Sequence, residues 1–408
     1  MVKRLAYVAA LLLAAVSCEI PFELDNISQP KLYVHYLPTD GTPRMKLGYA
    51  EPAFGKLSTK NYNFKASDIS VQVNGKAASI KLLENTENDP GGNTVFVVPE
   101  VEGGLKAGDR VEVRIKGDNV PEAYAYTTIP PKPTVTSVEM KPVTRDSSDA
   151  TKVTVYLSKA VEEGEYFGLK TAIKTTIVSG YMSEETYELL NSMGLGNLAA
   201  FTGLPGIPGM PDIPIQYDTT VMVSYTTAGQ LASTADINKL DLDGFMSVDY
   251  RNGIVESGLF SGEPMMLLSE RMFDGSAYSF YINSIDTFSG DMFDLDLGGI
   301  DDSYVVNTDE MPDFPDDPDY PGDGEDEPYY IYFIVSDKQE IQLEVFRLSE
   351  ELYNYCKAQY LMNFNMLSNF GLSPPNFTYT NVSGGVGIVG GISSVKTIWY
   401  DVPRLPLI

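Results

Sequence analysis

Two stretches decide the fold: Asp68-Ile69-Ser70-Val71-Gln72-Val73-Asn74-Gly75 and Arg110-Val111-Glu112-Val113-Arg114-Ile115. Apolar and polar residues alternate, so in extended backbone Ile69, Val71 and Val73 share one face while Ser70 and Gln72 share the other. Asn74-Gly75 ends the first run with the pair that best tolerates the positive φ of a tight hairpin turn. Gly104-Leu105-Lys106-Ala107-Gly108 supplies similar turn chemistry just ahead of the second run. Working outward, residues 31–36, 78–83, 94–99 and 122–129 are further short β-rich runs separated by Gly, Pro, Asn and Asp. Strands of that length and punctuation predict a β-sandwich over residues 30–130. Ile129-Pro130-Pro131-Lys132-Pro133 withdraws three backbone donors from any ladder and marks the expected boundary.

The first region looks like the immunoglobulin-type modules of bacterial surface proteins, which implies an immunoglobulin-like N-terminal sandwich. A larger β-rich region over 134–408 follows, with strand character at Thr134–Met140, Thr151–Leu157 and Tyr166–Lys174. An insertion over 179–214 is expected to interrupt it. Within this insertion Ser183-Glu184-Glu185-Thr186 has the capped, acidic first turn of a short helix. The stretch from Leu198 to Pro214 is apolar but crowded with Pro and Gly, which rules out regular structure. It is either a loop folded onto its own domain or an apolar surface kept for a partner. On the second reading Phe201, Leu204, Ile207, Met210 and Ile213 are the contact residues.

Strand character returns at Tyr329–Val335 and Glu340–Arg347, followed by a helix over 349–370 whose start carries the capping hydroxyl of Ser349 and the acids Glu350 and Glu351. Tyr353, Cys356, Tyr360, Phe364 and Leu367 recur at helical spacing, which makes Cys356 a buried thiol and not a nucleophile. Ser383-Gly384-Gly385-Val386-Gly387-Ile388-Val389-Gly390-Gly391 lacks the lysine and the strand-to-helix setting of a phosphate loop. It reads as a bulged or closely packed strand pair.

The N-terminus carries a different signal. Lys3 and Arg4 precede an apolar run from Leu5 to Val16, shorter than the ~20 residues that cross a hydrocarbon core. Residues 1–17 are therefore expected to be a removed signal peptide. Ala15-Val16-Ser17-Cys18 resembles the lipobox of bacterial lipoproteins, which implies that Cys18 becomes the acylated first residue. Residues 18–29 then form an acidic tether, with Glu19, Glu23 and Asp25 close to the anchor. Acids at this position resemble the surface-export signals of Bacteroidota lipoproteins and imply attachment to the outer membrane, facing the cell exterior.

The chain carries 56 acidic and 29 basic residues, for a net charge of −27. Such a charge repels phosphate backbones, so nucleic acid is not an expected partner. Residues 301–327 are dense in carboxylates and interrupted by prolines. Their spacing departs from the calcium-binding loop, so an acidic linker is expected there, with calcium as the alternative. Aspartates 286, 291, 294, 296, 301 and 302 are read as surface charge on the same grounds. No other cofactor is expected.

His35 is the single histidine, which leaves a catalytic triad or a zinc site without partners. The chain is accordingly read as non-enzymatic with no catalytic residues, carboxylate-dependent glycoside hydrolysis being the one chemistry its composition would support. Leu348-Ser349-Glu350-Glu351-Leu352-Tyr353-Asn354-Tyr355 followed by Asn381-Val382-Ser383-Gly384-Gly385-Val386-Gly387 resembles a group of Bacteroidota outer-membrane lipoproteins, the domain of unknown function number 4249. Pro30-Lys31-Leu32-Tyr33-Val34 and Thr127-Thr128-Ile129-Pro130-Pro131 extend the resemblance over most of the chain. It implies a surface lipoprotein often encoded beside a TonB-dependent outer-membrane transporter, and the aromatic richness and apolar insertion of the chain favour an accessory or ligand-capture subunit in nutrient uptake. The alternative is a structural or adhesive surface subunit.

Overall fold

A computed structural model describes residues 30–41, 43–50, 64–83, 94–145, 148–183, 192, 216–225, 245–249, 254–257, 265–283, 330–364 and 379–403. Among these the chain is mainly β, with one α-helix, and it builds two layered bodies. The first pairs a five-stranded sheet with a four-stranded one. The five-stranded sheet contains β1 (Lys31–Tyr36), β2 (Met45–Ala50), β5 (Ser79–Leu83), β6 (Thr94–Glu100) and β18 (Gly385–Val389) in the order β18-β1-β2-β6-β5. The four-stranded sheet contains β3 (Ile69–Val73), β4 (Lys76–Ala77), β7 (Arg110–Gly117) and β8 (Val120–Thr128) in the order β4-β3-β7-β8.

The alternation quoted above sets the register of the second sheet. Val71 faces Val113 and Val73 faces Val111 across the β3–β7 ladder, so the apolar set points one way. These residues share a core with Leu32, Val34, Tyr36, Met45 and Leu47 of the opposite sheet, and Tyr36, Met45, Leu47 and Ile115 lose all solvent contact. Asn74 (φ 51°) and Gly75 (φ 78°) form the turn between β3 and β4, as their identity predicts. The Asn74 amide also donates to Asp109 at 2.8 Å and accepts from the Arg110 amide at 2.9 Å, tying the hairpin to β7.

The C-terminal segment contributes to this first body. β18 runs parallel to β1, with Leu32 opposite Gly385 and Tyr36 opposite Val389, although the two strands lie at opposite ends of the sequence. Sequence reading placed residues 385–389 with the second region, because alternation gives a strand's faces but not its neighbour. Glycine makes the pairing close. A Cβ on Gly387 (φ 110°) would sit 2.0 Å from the Val34 carbonyl oxygen, and one on Gly391 would sit 2.4 Å from that of Thr128.

In the second body, β9 (Val135–Arg145), β10 (Ser148–Leu157) and β16 (Ala277–Asn283) form a three-stranded sheet. Pro142 is tolerated because β9 is an edge strand. The larger sheet is built on β11 (Tyr166–Ser183) and β17 (Tyr330–Leu348). It also holds β12 (Gln216–Tyr225), β13 (Phe245–Asp249), β14 (Ile254–Ser257), β15 (Met265–Leu268), β19 (Ile392–Lys396) and β20 (Tyr400–Asp401). Val153, Phe280, Leu169, Leu267, Leu343 and Val345 pack its core.

Two sequence expectations change here. The strand expected to be interrupted near Ser179 continues to Ser183, absorbing a register shift between Val178 and Ser179. The runs at 329–335 and 340–347 are one strand, β17, because the polar Ser336-Asp337-Lys338-Gln339 segment stays paired instead of turning. The expected helix begins where its cap places it, as α1 (Glu350–Phe364).

Helix α1 lies between the two bodies and is apolar toward both. Tyr353 stacks on Tyr166 of β11 at 4.2 Å, while Tyr355 meets His35 of β1 edge-on at 5.3 Å. Ser349 caps it: its Oγ accepts from the Leu352 amide at 3.3 Å and from the Gly391 amide at 3.1 Å. The buried Thr127 Oγ1 also accepts from the Gly391 amide at 3.0 Å and donates to Glu351 at 3.4 Å. One amide of the C-terminal segment thus joins the cap of α1 to the end of β8. Replacing Ser349 by Ala should lower stability by about 1 kcal/mol, the usual loss of a helix cap. The check is the urea midpoint, with Ser394→Ala, whose hydroxyl donates to Glu344 away from the cap, as the comparison.

Candidate interaction surface

Strands β11, β12 and β17 together form a ribbon. β11 pairs with β17 from Tyr166 opposite Leu348 to Ser183 opposite Tyr330, and with β12 from Ala172 opposite Tyr225 to Tyr181 opposite Gln216. Ile173 is the last apolar residue of β11 in the core among the described residues. The strand then continues for roughly 30 Å at the usual rise of an extended chain. Because opposed residues of an antiparallel pair share a face, Val221 and Val223 lie with Thr176 and Lys174 on one face, and Met222 lies with Thr175 on the other.

β12 pairs with β11 alone among the described strands. Val221, Met222 and Val223 are 57 %, 47 % and 55 % exposed. Three consecutive exposed apolar residues mean that neither face of the ribbon is covered at this edge, an arrangement proteins otherwise avoid because an open edge recruits another strand.

Beside this edge runs a charge ladder. The Lys174 ammonium lies 2.5 Å from Glu340 and 4.9 Å from the centre of the Trp399 ring. Lys338 bridges Glu340 at 3.4 Å and Asp401 at 2.8 Å. The hydrogen bond from Lys174 holds the Glu340 carboxyl below the usual carboxylate range. Further along, Glu344 accepts from Ser394 at 2.9 Å and faces Lys396 at 3.6 Å. Each carboxylate already has its cation, which suits cross-strand pairing and not proton transfer.

The outer face of β7 and β8 shows the same economy. Arg110 and Arg114 stack over Tyr126 and Tyr124 at 4.1 and 4.2 Å, and Glu112 accepts from Arg110 at 3.0 Å and from Tyr124 at 3.3 Å. The guanidinium groups occupy one face of each ring, as cross-strand pairs that brace the sheet.

The residues singled out in the sequence divide into two sets. His35 is buried, stacked on Tyr33 at 5.6 Å and met by Tyr355. Cys356 is fully buried in α1, and burial pushes its thiol well above the ordinary range. Cys18, the contact candidates Phe201, Leu204, Ile207, Met210 and Ile213, and the acidic stretch 301–327 lie outside the described residues, as do the aspartates from 286 to 302. Among the described residues no group of three or more His, Cys, Asp or Glu could hold a metal ion, and no helix is long and apolar enough to cross a membrane. The exposed β12 was missed by sequence reading, although Thr219-Thr220-Val221-Met222-Val223 carries the β-branched signal of a strand.

Among the described residues the chain thus comprises two layered β bodies braced by α1, with a ribbon whose outer strand exposes Val221, Met222 and Val223. Residues 18–398 match the family described as a domain of unknown function, number 4249, and the chain belongs to that family. Comparison with curated proteins and with solved structures gave no match.

Proposed function

We propose that the chain is a surface-exposed outer-membrane lipoprotein of a Bacteroidota bacterium, serving as a non-enzymatic accessory or ligand-capture subunit of a TonB-dependent transporter. Acylated Cys18 and the acidic tether hold it on the membrane. The immunoglobulin-like reading of the N-terminal sandwich belongs to the same proposal. The observation that carries it is the ribbon. The segment 184–215, which holds Phe201, Leu204, Ile207, Met210 and Ile213, joins the end of β11 to the start of β12, well beyond the last core residue of β11. A contact segment carried at the end of a long paired strand reaches a partner without disturbing the cores. The open edge of β12 favours a second reading, a structural or adhesive surface subunit.

The test is affinity isolation of the native lipoprotein from detergent-solubilised outer membranes, followed by identification of stoichiometric companions. A TonB-dependent barrel is expected to co-purify and to be lost when residues 198–214 are exchanged for a Gly/Ser loop. Recovery of the chain alone would remove the transporter reading and leave the structural one.

A further inference from the structure

The edge strand matches itself when reversed at its centre, Val221-Met222-Val223, which is flanked on either side by a small hydroxyl residue, Thr220 and Ser224. Thr219-Thr220-Val221-Met222-Val223-Ser224-Tyr225 is free of charge within a chain of net charge −27. Laid antiparallel against a second copy about Met222, it sets Val221 opposite Val223 and Thr220 opposite Ser224, with Met222 opposite Met222. A two-fold axis normal to the sheet keeps the faces in common. The exposed Val221 and Val223 of both copies then form one four-valine cluster, and the two Met222 side chains meet on the other face.

Most two-fold appositions of so acidic a surface bring like charges together. This one brings none. We propose that β12 is an isologous self-association edge at which two copies of the chain join their ribbons into one continuous sheet. The proposal does not depend on the transporter reading, since it concerns the lateral edge of β12 and not segment 198–214.

A seven-residue strand pair buries less than a standard protein interface, so the association is expected to depend on concentration. The decisive readout is therefore a covalent trap that reports register. In the proposed alignment only position 222 faces its own copy, so Met222→Cys should form a disulfide-linked dimer under mild oxidation. Thr220→Cys and Ser224→Cys, each offset from its own copy by four positions, should form far less. The buried Cys356 stays out of this chemistry.

The experiment uses the full-length lipoprotein in detergent without any transporter, and sedimentation over a concentration series accompanies it. Val221→Lys combined with Val223→Lys places like charges opposite one another on one face. This variant should sediment as a monomer at concentrations where the unmodified chain shifts toward twice the monomer mass. Equal cross-linking at 220, 222 and 224, or none at 222, would overturn the proposal. Both valines are exposed, but Val223 lies opposite Lys174 within the chain, so the lysine variant is expected to keep its circular dichroism spectrum with a slightly lower melting temperature.

Discussion

A chain carrying Gly387→Ala is expected to lose about 4 kcal/mol of stability, enough to bring a marginally stable protein close to unfolding. Two costs add at this residue. Its φ of 110° is a conformation that side-chain-bearing residues rarely adopt, and the new methyl would lie 2.0 Å from the carbonyl oxygen of Val34, a backbone atom that cannot rotate away. The only relief is to part β18 from β1, which exposes the shared core around Leu32, Val34 and Val389. Gly75→Ala is the matching control. Its φ is also positive, at 78°, yet a Cβ there meets nothing within 4 Å, so conformational strain alone remains, about 1 kcal/mol. Chemical denaturation with tryptophan and tyrosine fluorescence would compare the two midpoints. Similar midpoints would show that the closeness of β18 to β1 contributes nothing.

The second large effect concerns Glu165. Its carboxylate, 12 % exposed, receives a hydrogen bond from Arg347 of β17, a second from Lys159 at 3.2 Å and a third from the Glu162 amide at 3.0 Å. Arg347 is itself only 16 % exposed and lies 5.7 Å from the Phe167 ring centre. Glu165→Gln would leave that guanidinium desolvated beside a neutral group, at a cost of about 2 kcal/mol. Replacing Glu165 by Gln and Arg347 by Met together should cost less than the sum of the single changes, because no unmatched charge is left behind.

The same site predicts a pH dependence. Burial by itself raises the Glu165 carboxyl, but the Glu162 amide, Lys159 and Arg347 outweigh it and hold the group below its ordinary value of 4.5. A carboxyl with a lowered folded-state value contributes stability above its unfolded value, and that contribution is lost as pH falls through the folded one. The stability gap between the native chain and Glu165→Gln should therefore be widest near neutrality and close on acidification below about 4.5. Midpoints of both chains across an acid pH series would measure it. A gap that stays constant would show that the carboxylate's charge is not what Arg347 needs.

What could be read from the sequence follows from what a local pattern can encode. Alternation at Ile69, Val71 and Val73, the Asn74-Gly75 turn and the Ser349 cap are decided within a few residues, and the structure places each as its chemistry requires. The long ribbon was legible only in pieces. A polar run such as Ser336–Gln339 signals a turn when read alone, and only its pairing with β11 shows that it remains a strand. The partner of β18 was not legible at all. Glycines at 384, 385, 387, 390 and 391 announce close backbone approach but do not say whose backbone approaches. The exposed edge of β12 carried a strand signal like any other, because exposure is decided by what the rest of the chain leaves uncovered.

The parallel pairing of β1 with β18 also imposes an order on assembly. Strand β1 starts at Lys31 and its neighbour ends at Val389, so the first sheet stays open on one side until the chain has been delivered as far as residue 389. Closing so long a loop has an entropic cost that local hairpins such as β3–β4 do not meet, which makes this the late step of folding. A chain threaded N-terminus first would carry an unfinished sandwich with β1 as its bare edge, and a nascent chain stopped anywhere before residue 385 would keep that edge permanently.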